Sequence, residues 1–345
     1  MDVADFSFDL PQDSIAQRPA PRGTSRLMTL DRTTGAVGHR SVADLPDLLR
    51  PGDVLVVNDT KVIPARLFGT DDQGRRTEFL LVVRSPEAPH VWDCLAKPGR
   101  RAKPGRTFAF GEGLTGRVLA VRASGRYVVS FEGADLASVL PSLGTAPLPP
   151  YIHRPDGVAD ERDRDDYQTV FAREPGAIAA PTAGLHLTEV LLAAIRARGV
   201  AVVPLTLHVG IGTFKPVKVE RVEDHVMDAE SGVVPEATAA AVNLARAEGR
   251  RVVAVGTTSA RTLESSARAN GWKLTPGPFT TDVFLYPGAE FRMVDALLTN
   301  FHLPRSTLLM LLCAFAGRER VLAAYREAVA AGYRFFSYGD AMLVG

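Results

Sequence analysis

The sequence predicts an α/β protein whose middle portion is an inserted, strand-rich module. Three observations carry this reading. In the second half of the chain, buried strand-like runs alternate with amphipathic helical runs, which implies a mainly parallel sheet covered by helices. One further run, Val-Leu-Val-Val at 54–57, is short, β-branched and bounded by turn residues, and it stands apart near the N-terminus. From about 63 to 148 the pattern changes to short alternating runs separated by Gly, Pro and charged turns, the signature of a small antiparallel sheet or barrel.

In chain order, 44–49 reads as a short helix, Pro51-Gly52-Asp53 as a turn and 54–57 as the buried strand, with Asn58-Asp59-Thr60 at its end. The module's strand-like runs are 78–83, 91–95, 107–110, 116–121 and 127–131, followed by a helical stretch at 134–143. Pro147-Leu148-Pro149-Pro150-Tyr151 is a stiff connector, and the charged stretch 156–166 reads as an exposed loop or helix start. Leu191, Leu192 and Ile195 give 187–198 a helical face, and Gly199 sits where the helix ends. Then follow a strand at 200–207, a helix at 235–248, a strand at 251–255 and helices at 258–269, 308–315 and 318–331. The early strand at 54–57 is expected to rejoin this sheet, which makes the middle module an insertion.

Composition bounds the function. The chain has 345 residues, 46% hydrophobic and 23% charged, an ordinary globular balance that excludes disorder as the main description. Cys94 and Cys313 lie far apart, so a disulfide framework and a Cys-based zinc cluster are excluded. The acidic start lacks the pattern of a signal peptide, and the most apolar stretch, 306–316, is too short for a membrane span. A soluble cytoplasmic protein without a membrane partner is expected. The formal charge of +1 announces no global basic field, so a nucleic-acid partner would need a local patch.

Such a patch exists. From 95 to 130 the basic residues are Lys97, Arg100, Arg101, Lys103, Arg106, Arg117, Arg122 and Arg126, against the single acid Glu112. Segregation of that kind favours a polyanion, and Arg100, Arg101, Lys103 and Arg106 are the candidate RNA contacts.

The candidate chemistry lies just after predicted strands, where α/β proteins place their sites. Thr257, Thr258 and Ser259 open a helix after 251–255. Free backbone N–H groups and hydroxyls there suit an anion, or serve as plain caps. His208 follows another strand and is trailed by Gly210, Gly212 and Thr213, which allow close approach of a ligand. His186, His225 with Asp228, and Asn300 with His302 complete the polar set, together with the aromatic, strand-like C-terminal run 333–340 ending in Asp340, which reads as a packed terminal strand or as exposed rings on which a base stacks. Metal ligation by the His225–Glu230 cluster is poorly supported by its spacing, and no dinucleotide or nucleotide-triphosphate fingerprint occurs.

In this order the segments resemble a known family. They include Asp5-Phe6-Ser7-Phe8-Asp9-Leu10-Pro11, Asn58-Asp59-Thr60-Lys61-Val62-Ile63-Pro64-Ala65-Arg66, Tyr167-Gln168-Thr169-Val170, Ala179-Ala180-Pro181-Thr182-Ala183-Gly184-Leu185-His186, 206–214, 255–264, 299–303 and 333–342. The chain is similar, end to end, to the S-adenosylmethionine:tRNA ribosyltransferase-isomerase (QueA) family of queuosine biosynthesis.

The resemblance implies a larger α/β domain built from both chain ends, 1–62 and 149–345, with a small antiparallel β-barrel, 63–148, inserted. It implies transfer and isomerisation of the ribosyl moiety of S-adenosylmethionine, the co-substrate, onto 7-aminomethyl-7-deazaguanine at the tRNA wobble position. The products are epoxyqueuosine-tRNA, adenine and methionine. No metal is expected, and the chain is expected to act as a monomer.

On that footing His208 and His186 are candidate bases, with Asp228 and His225 as a tuning pair. Thr257, Thr258 and Ser259 would hold the methionine carboxylate, and Asp59 or Asp340 its ammonium. Gly210, Gly212, Thr213, Asn300 and His302 complete the expected substrate site. Two departures from the family pattern stand out. The chain has Met227-Asp228-Ala229-Glu230 where Met-His-Ser-Glu is usual, and Leu185-His186-Leu187 where Leu-His-Phe is usual. Two rivals stay open: the same chemistry on a free small amine, which the basic module argues against, and an inactive RNA-binding relative, motivated by the altered Asp228-Ala229 pair.

Overall fold

The structure is a computed structural model. It describes residues 1–345 apart from Lys215 and Pro216, and apart from the side chains of Asp156, Thr213 and Phe214.

The strand Val54–Asn58 is buried at every position. Alternation explains how: Val54 and Val56 join one apolar cluster, with Leu205, Ala254 and the helix residues Val242, Ala260 and Leu263. Leu55 and Val57 join another, with Leu191, Leu192 and Ile195. A strand covered by helices on both faces must be apolar on both faces, which is why it reads as an unbroken hydrophobic run.

The sheet has nine strands. Their spatial order is Gly277–Thr281, Glu230–Val234, Ala201–Leu207, Val54–Asn58, Val252–Val255, Ala296–Asn300, Ala341–Val344, Arg26–Leu30 and Val37–Ser41. The four central strands, from Ala201–Leu207 to Ala296–Asn300, are parallel. Around them the pairings are antiparallel, except for Ala341–Val344 beside Arg26–Leu30.

The sheet is therefore mixed, where the alternation of elements predicted a mainly parallel one. The flanking strands escaped the sequence reading because they look like loops. Glu230–Val234 contains Gly232, and a Cβ there would sit 2.1 Å from the Thr206 carbonyl oxygen. Gly277–Thr281 begins Gly-Pro.

The inserted module closes into a six-stranded antiparallel barrel. Its strands, in spatial order, are Tyr127–Gly133, Val91–Lys97, Arg76–Arg84, Arg66–Thr70, Thr107–Gly111 and Leu114–Val121. Inward residues such as Leu67, Phe79, Leu81, Cys94, Phe108, Val118 and Phe131 fill it. Gly69 and Gly116 make room for the Phe110 ring, which a Cβ at either position would meet below 3.0 Å. The helix Leu136–Leu143 packs Leu136 and Leu140 onto the barrel core together with Ile178 and Ile211 from the α/β side, so one apolar seam joins the two units.

Two local readings need correction. The charged stretch 156–166 is not simply exposed. Its helix Glu161–Asp166 buries Asp163 completely, because the carboxylate is gripped in bidentate fashion by Arg154 at 2.8 and 2.7 Å and by Arg18 at 3.1 Å. The run 333–340 is not a strand but an irregular turn ahead of Ala341–Val344, with Phe336 at φ 72°. Tyr333, Phe335, Phe336 and Tyr338 are all buried there, so the run offers no exposed ring for a base.

Candidate active site

The four parallel strands end on one edge, and each delivers polar residues just beyond its last pairing. Asn58 ties three of these ends together. Its Oδ1 accepts from Leu207 N–H at 3.0 Å and Thr60 N–H at 3.2 Å; its Nδ2 donates to Leu207 O at 3.0 Å and Thr258 Oγ1 at 3.4 Å. An amide with all these groups engaged holds a fixed rotamer, so the edge is rigid before any ligand arrives.

His208 is set by this frame. Its backbone N–H donates to Ser231 O at 2.9 Å, and its Nδ1 lies 2.9 Å from Thr60 Oγ1. The ring rests on the backbone of Gly176, where a Cβ would come within 2.8 Å of Nδ1. Partial burial pulls the His208 pKa down, while the Asp59 and Glu174 charges work the other way. The net shift favours the neutral imidazole.

It faces a cavity of about 1200 Å³ between the strand edge and the barrel. The α/β wall includes His208, Gly210, Asp228 and Glu230; the barrel wall includes Trp92, Arg84 and Arg126. Arg126 reaches Asp228 at 3.5 Å, an ion pair that crosses from one wall to the other.

Gly210 N–H donates to Glu230 Oε1 at 2.7 Å, and Glu230 in turn pairs with the buried Arg261. Desolvation brings the Arg261 guanidinium down to about 10 and leaves it charged. Gly212 lies beside Asp228: a Cβ there would be 3.5 Å from Asp228 Oδ2. Thr213 lies outside the described side chains.

A smaller cavity, of about 50 Å³, adjoins the first through Val209. Thr257, Thr258, Asn300 and His302 line it. The helix Gly256–Ala269 starts there without a side-chain cap, so its first N–H groups are not taken by a capping side chain.

The structure does not bring the remaining candidates to the large cavity. His186 is buried, accepts from Asn300 Nδ2 at 3.3 Å, and is driven by burial down to about 4. His302 faces Thr299 Oγ1 at 2.8 Å and is driven by burial to about 3. Ser259 bonds back to Val255 O at 2.8 Å and is a local brace. His225 packs edge-on against Phe284 outside the cavity wall.

Asp340 accepts from Arg26 N–H at 3.0 Å and Arg334 N–H at 2.8 Å, so it anchors the C-terminal turn. Asp59 is buried against the Thr206 hydroxyl at 2.6 Å; desolvation raises its pKa although that hydrogen bond opposes the shift.

The basic quartet is divided as well. Arg106 pairs with Asp71 at 3.2 Å, and Arg101 donates to Arg76 O at 2.7 Å. Among the described residues, no carboxylate lies within ion-pair distance of Arg100, Arg101 or Lys103. They sit at the barrel end away from the cavity: Trp92 lines it, and Lys97 ends the same strand about 17 Å further on.

The residues that sequence reasoning missed are Thr60, Gly176, Glu230's partner Arg261, and the rim residues Lys61, Arg84 and Trp92. Thr60 was within reach, because it follows a strand end beside a named candidate. Gly176 carries no local signal.

Comparison with known proteins adds to this geometry. The pattern of the queuosine biosynthesis protein family matches residues 3–344. A Syntrophotalea carbinolica protein named S-adenosylmethionine:tRNA ribosyltransferase-isomerase is 53% identical over 347 residues, covering 100% of both chains. One of the same name from Geobacter sulfurreducens is 51% identical, covering 99% of both. The crystal structure of S-adenosylmethionine tRNA ribosyltransferase from Thermotoga maritima is 38% identical, covers 99% of this chain and 100% of its own, and superposes with a TM-score of 0.55.

Proposed function

The chain belongs to the queuosine-biosynthesis family of S-adenosylmethionine:tRNA ribosyltransferase-isomerases, and we propose that it performs that reaction. It moves and isomerises the ribosyl moiety of S-adenosylmethionine onto 7-aminomethyl-7-deazaguanine in the wobble position of tRNA. Epoxyqueuosine-tRNA, adenine and methionine leave.

The observation that carries the assignment of chemistry to this site is the neutral, cavity-facing His208 on a pre-braced strand edge. The sulfonium acidifies the C5′ protons of the ribose. His208 takes one, giving an ylide that expels adenine. The amine of the RNA base then attacks the unsaturated sugar, and closure to the epoxide expels methionine. The departing adenine takes up a proton, so the steps require a base of near-neutral pKa, a donor for the leaving adenine and a site walled from water.

The uncapped helix start at Thr257 and Thr258 holds the methionine carboxylate. Gly210 and Gly212 let the sugar approach the backbone. The barrel, taken as a separate domain spanning 63–148, carries the RNA through Arg84 at the cavity rim and Arg100, Arg101 and Lys103 beyond it, with Lys61 adding charge from the α/β side of the rim. The scheme uses no metal. Among the described residues no helix is long and apolar enough to cross a membrane, and we take the protein to work as a monomer in the cytoplasm.

One incubation tests the reading. The protein is mixed with S-adenosylmethionine and tRNA bearing the aminomethyl base, and the digested nucleosides are weighed by mass spectrometry. Epoxyqueuosine with equimolar adenine and methionine is expected. An unchanged nucleoside overturns the proposal, and conversion of the free base in place of the tRNA moves the activity to a small amine.

A further inference from the structure

The hydroxyl of Thr60 sits between two partners. On one side is His208 Nδ1, at 2.9 Å; on the other is the Glu174 carbonyl oxygen, at 3.5 Å. A carbonyl only accepts, so a threonine hydroxyl that donates to it must receive from the imidazole. The chain of bonds then runs from His208 Nδ1–H to Thr60 O–H to Glu174 C=O.

The neighbouring charges favour a proton on the ring. Asp59, next to Thr60, and Glu174 are the two negative charges that act on His208. His208 lines the cavity, and with the proton on Nδ1 it is Nε2 that keeps its lone pair. Free imidazole side chains in water prefer the opposite tautomer, with the proton on Nε2.

The ring cannot escape this arrangement by rotating away. Gly176 lies flat against it, close to Nδ1, Cε1 and Cγ, and its carrier segment Glu174–Ala177 is paired in parallel with Thr60–Val62. Thr60, Glu174 and Gly176 thus belong to one two-stranded ribbon that wraps the imidazole from two directions. Thr60 itself is fully buried.

We propose that Thr60 is a positioning residue that fixes His208 in the Nδ1–H tautomer, so that Nε2 is presented to the substrate as the proton acceptor. The proposal rests on His208 being the base. A threonine in this place does for the imidazole what a carboxylate or carbonyl does for other catalytic histidines: the partner on one nitrogen decides what the other can do.

The test compares Thr60→Val, which keeps the shape and removes the hydroxyl, with Thr60→Ser, which keeps the hydroxyl. Two readouts are taken. The first is release of deuterium from C5′-labelled S-adenosylmethionine with tRNA bound. The second is the tautomer of His208, from imidazole nitrogen-15 shifts assigned by loss of the signal in His208→Ala.

Thr60→Val is expected to slow release at least about 10-fold with KM for both substrates unchanged, and to move the proton to Nε2. Thr60→Ser should restore both. Combined with His208→Ala, Thr60→Val should cost nothing further, because its effect passes through the imidazole. A parent-like rate and tautomer in Thr60→Val, with His208→Ala slow, overturns the role of Thr60 alone. A parent-like rate in His208→Ala overturns the base assignment, and this proposal with it.

Discussion

The α/β wall and the barrel wall of the large cavity are built by different means. On the α/β side each polar side chain is held by a neighbour from another strand: Asn58 spans three strand ends, Thr60 holds His208, and Glu230 holds the Gly210 backbone. On the barrel side the groups are long basic chains and an indole: Arg84, Arg126 and Trp92. The first arrangement fixes atoms to fractions of an ångström, which a proton transfer needs. The second offers charge and surface that adapts to a phosphate backbone, which recognition needs. On the reading proposed above, chemistry belongs to the α/β wall and RNA to the barrel, and each can be broken separately.

The largest effect should come from the α/β wall. His208→Ala is expected to lower the chemical step by about 10²–10⁴-fold while S-adenosylmethionine and tRNA still bind. Single-turnover kinetics beside equilibrium binding measure both. If affinity falls in step with rate, His208 is a binding residue and the division of labour fails on this side.

The far end of the barrel should behave in the reverse way. Replacing Arg100, Arg101 and Lys103 by Ala should weaken tRNA binding and flatten its salt dependence by about 0.7–0.9 in log–log slope for each phosphate no longer neutralised. Turnover at saturating tRNA should persist. Arg106→Ala should change the slope least, since Arg106 already pairs with Asp71. An unchanged salt slope in the triple variant would move the RNA to another face.

That last distinction shows where the sequence stops being informative. Counting charge between 95 and 130 found the basic module but could not see its neutralising partners. Asp71 and Asp228 lie outside that window, and only the closed barrel and the cavity bring them to Arg106 and Arg126.

The histidines tell the same story. His186, His208 and His302 all follow or neighbour strand ends and look alike in sequence, yet burial leaves two inside and one facing the cavity. The central strands were legible because two-sided burial writes an apolar run. The strands carrying Gly232 and Gly277 were not: at Gly232 close backbone approach leaves no room for a side chain, and at Gly277 a φ of 121° favours glycine.

The buried pair gives a prediction of intermediate size. His186 and His302 have folded pKa values of about 4 and about 3, below the ordinary value of 6.5, because burial disfavours the cation. Unfolded chains bind protons at these sites first as pH falls. The stability they protect is therefore complete above about pH 6.5 and lost as pH drops from there toward 4. The slope is about 1.4 kcal/mol per pH unit for each fully responding histidine. Urea midpoints between pH 7 and pH 5 should fall, and less steeply in His302→Asn. An equal slope in that variant would mean that His302 reaches water in the folded state.

The smallest effect is expected where the two walls touch. The resemblance marks Asp228 as a departure from an expected histidine, and it meets Arg126 across the cavity at 3.5 Å. Its side chain is about a third exposed, at 36%, and an ion pair that wet is worth at most about 1 kcal/mol. A phosphate arriving at Arg126 would compete for the same guanidinium, so the pair is one that RNA can replace. Asp228→Asn should therefore keep turnover within a few-fold of the parent and leave S-adenosylmethionine affinity unchanged. Binding of tRNA should tighten slightly, since Arg126 no longer has to leave a carboxylate. Loss of activity with both ligands still bound would place the reacting proton on Asp228, and the base would then lie at the junction of the walls and not on His208.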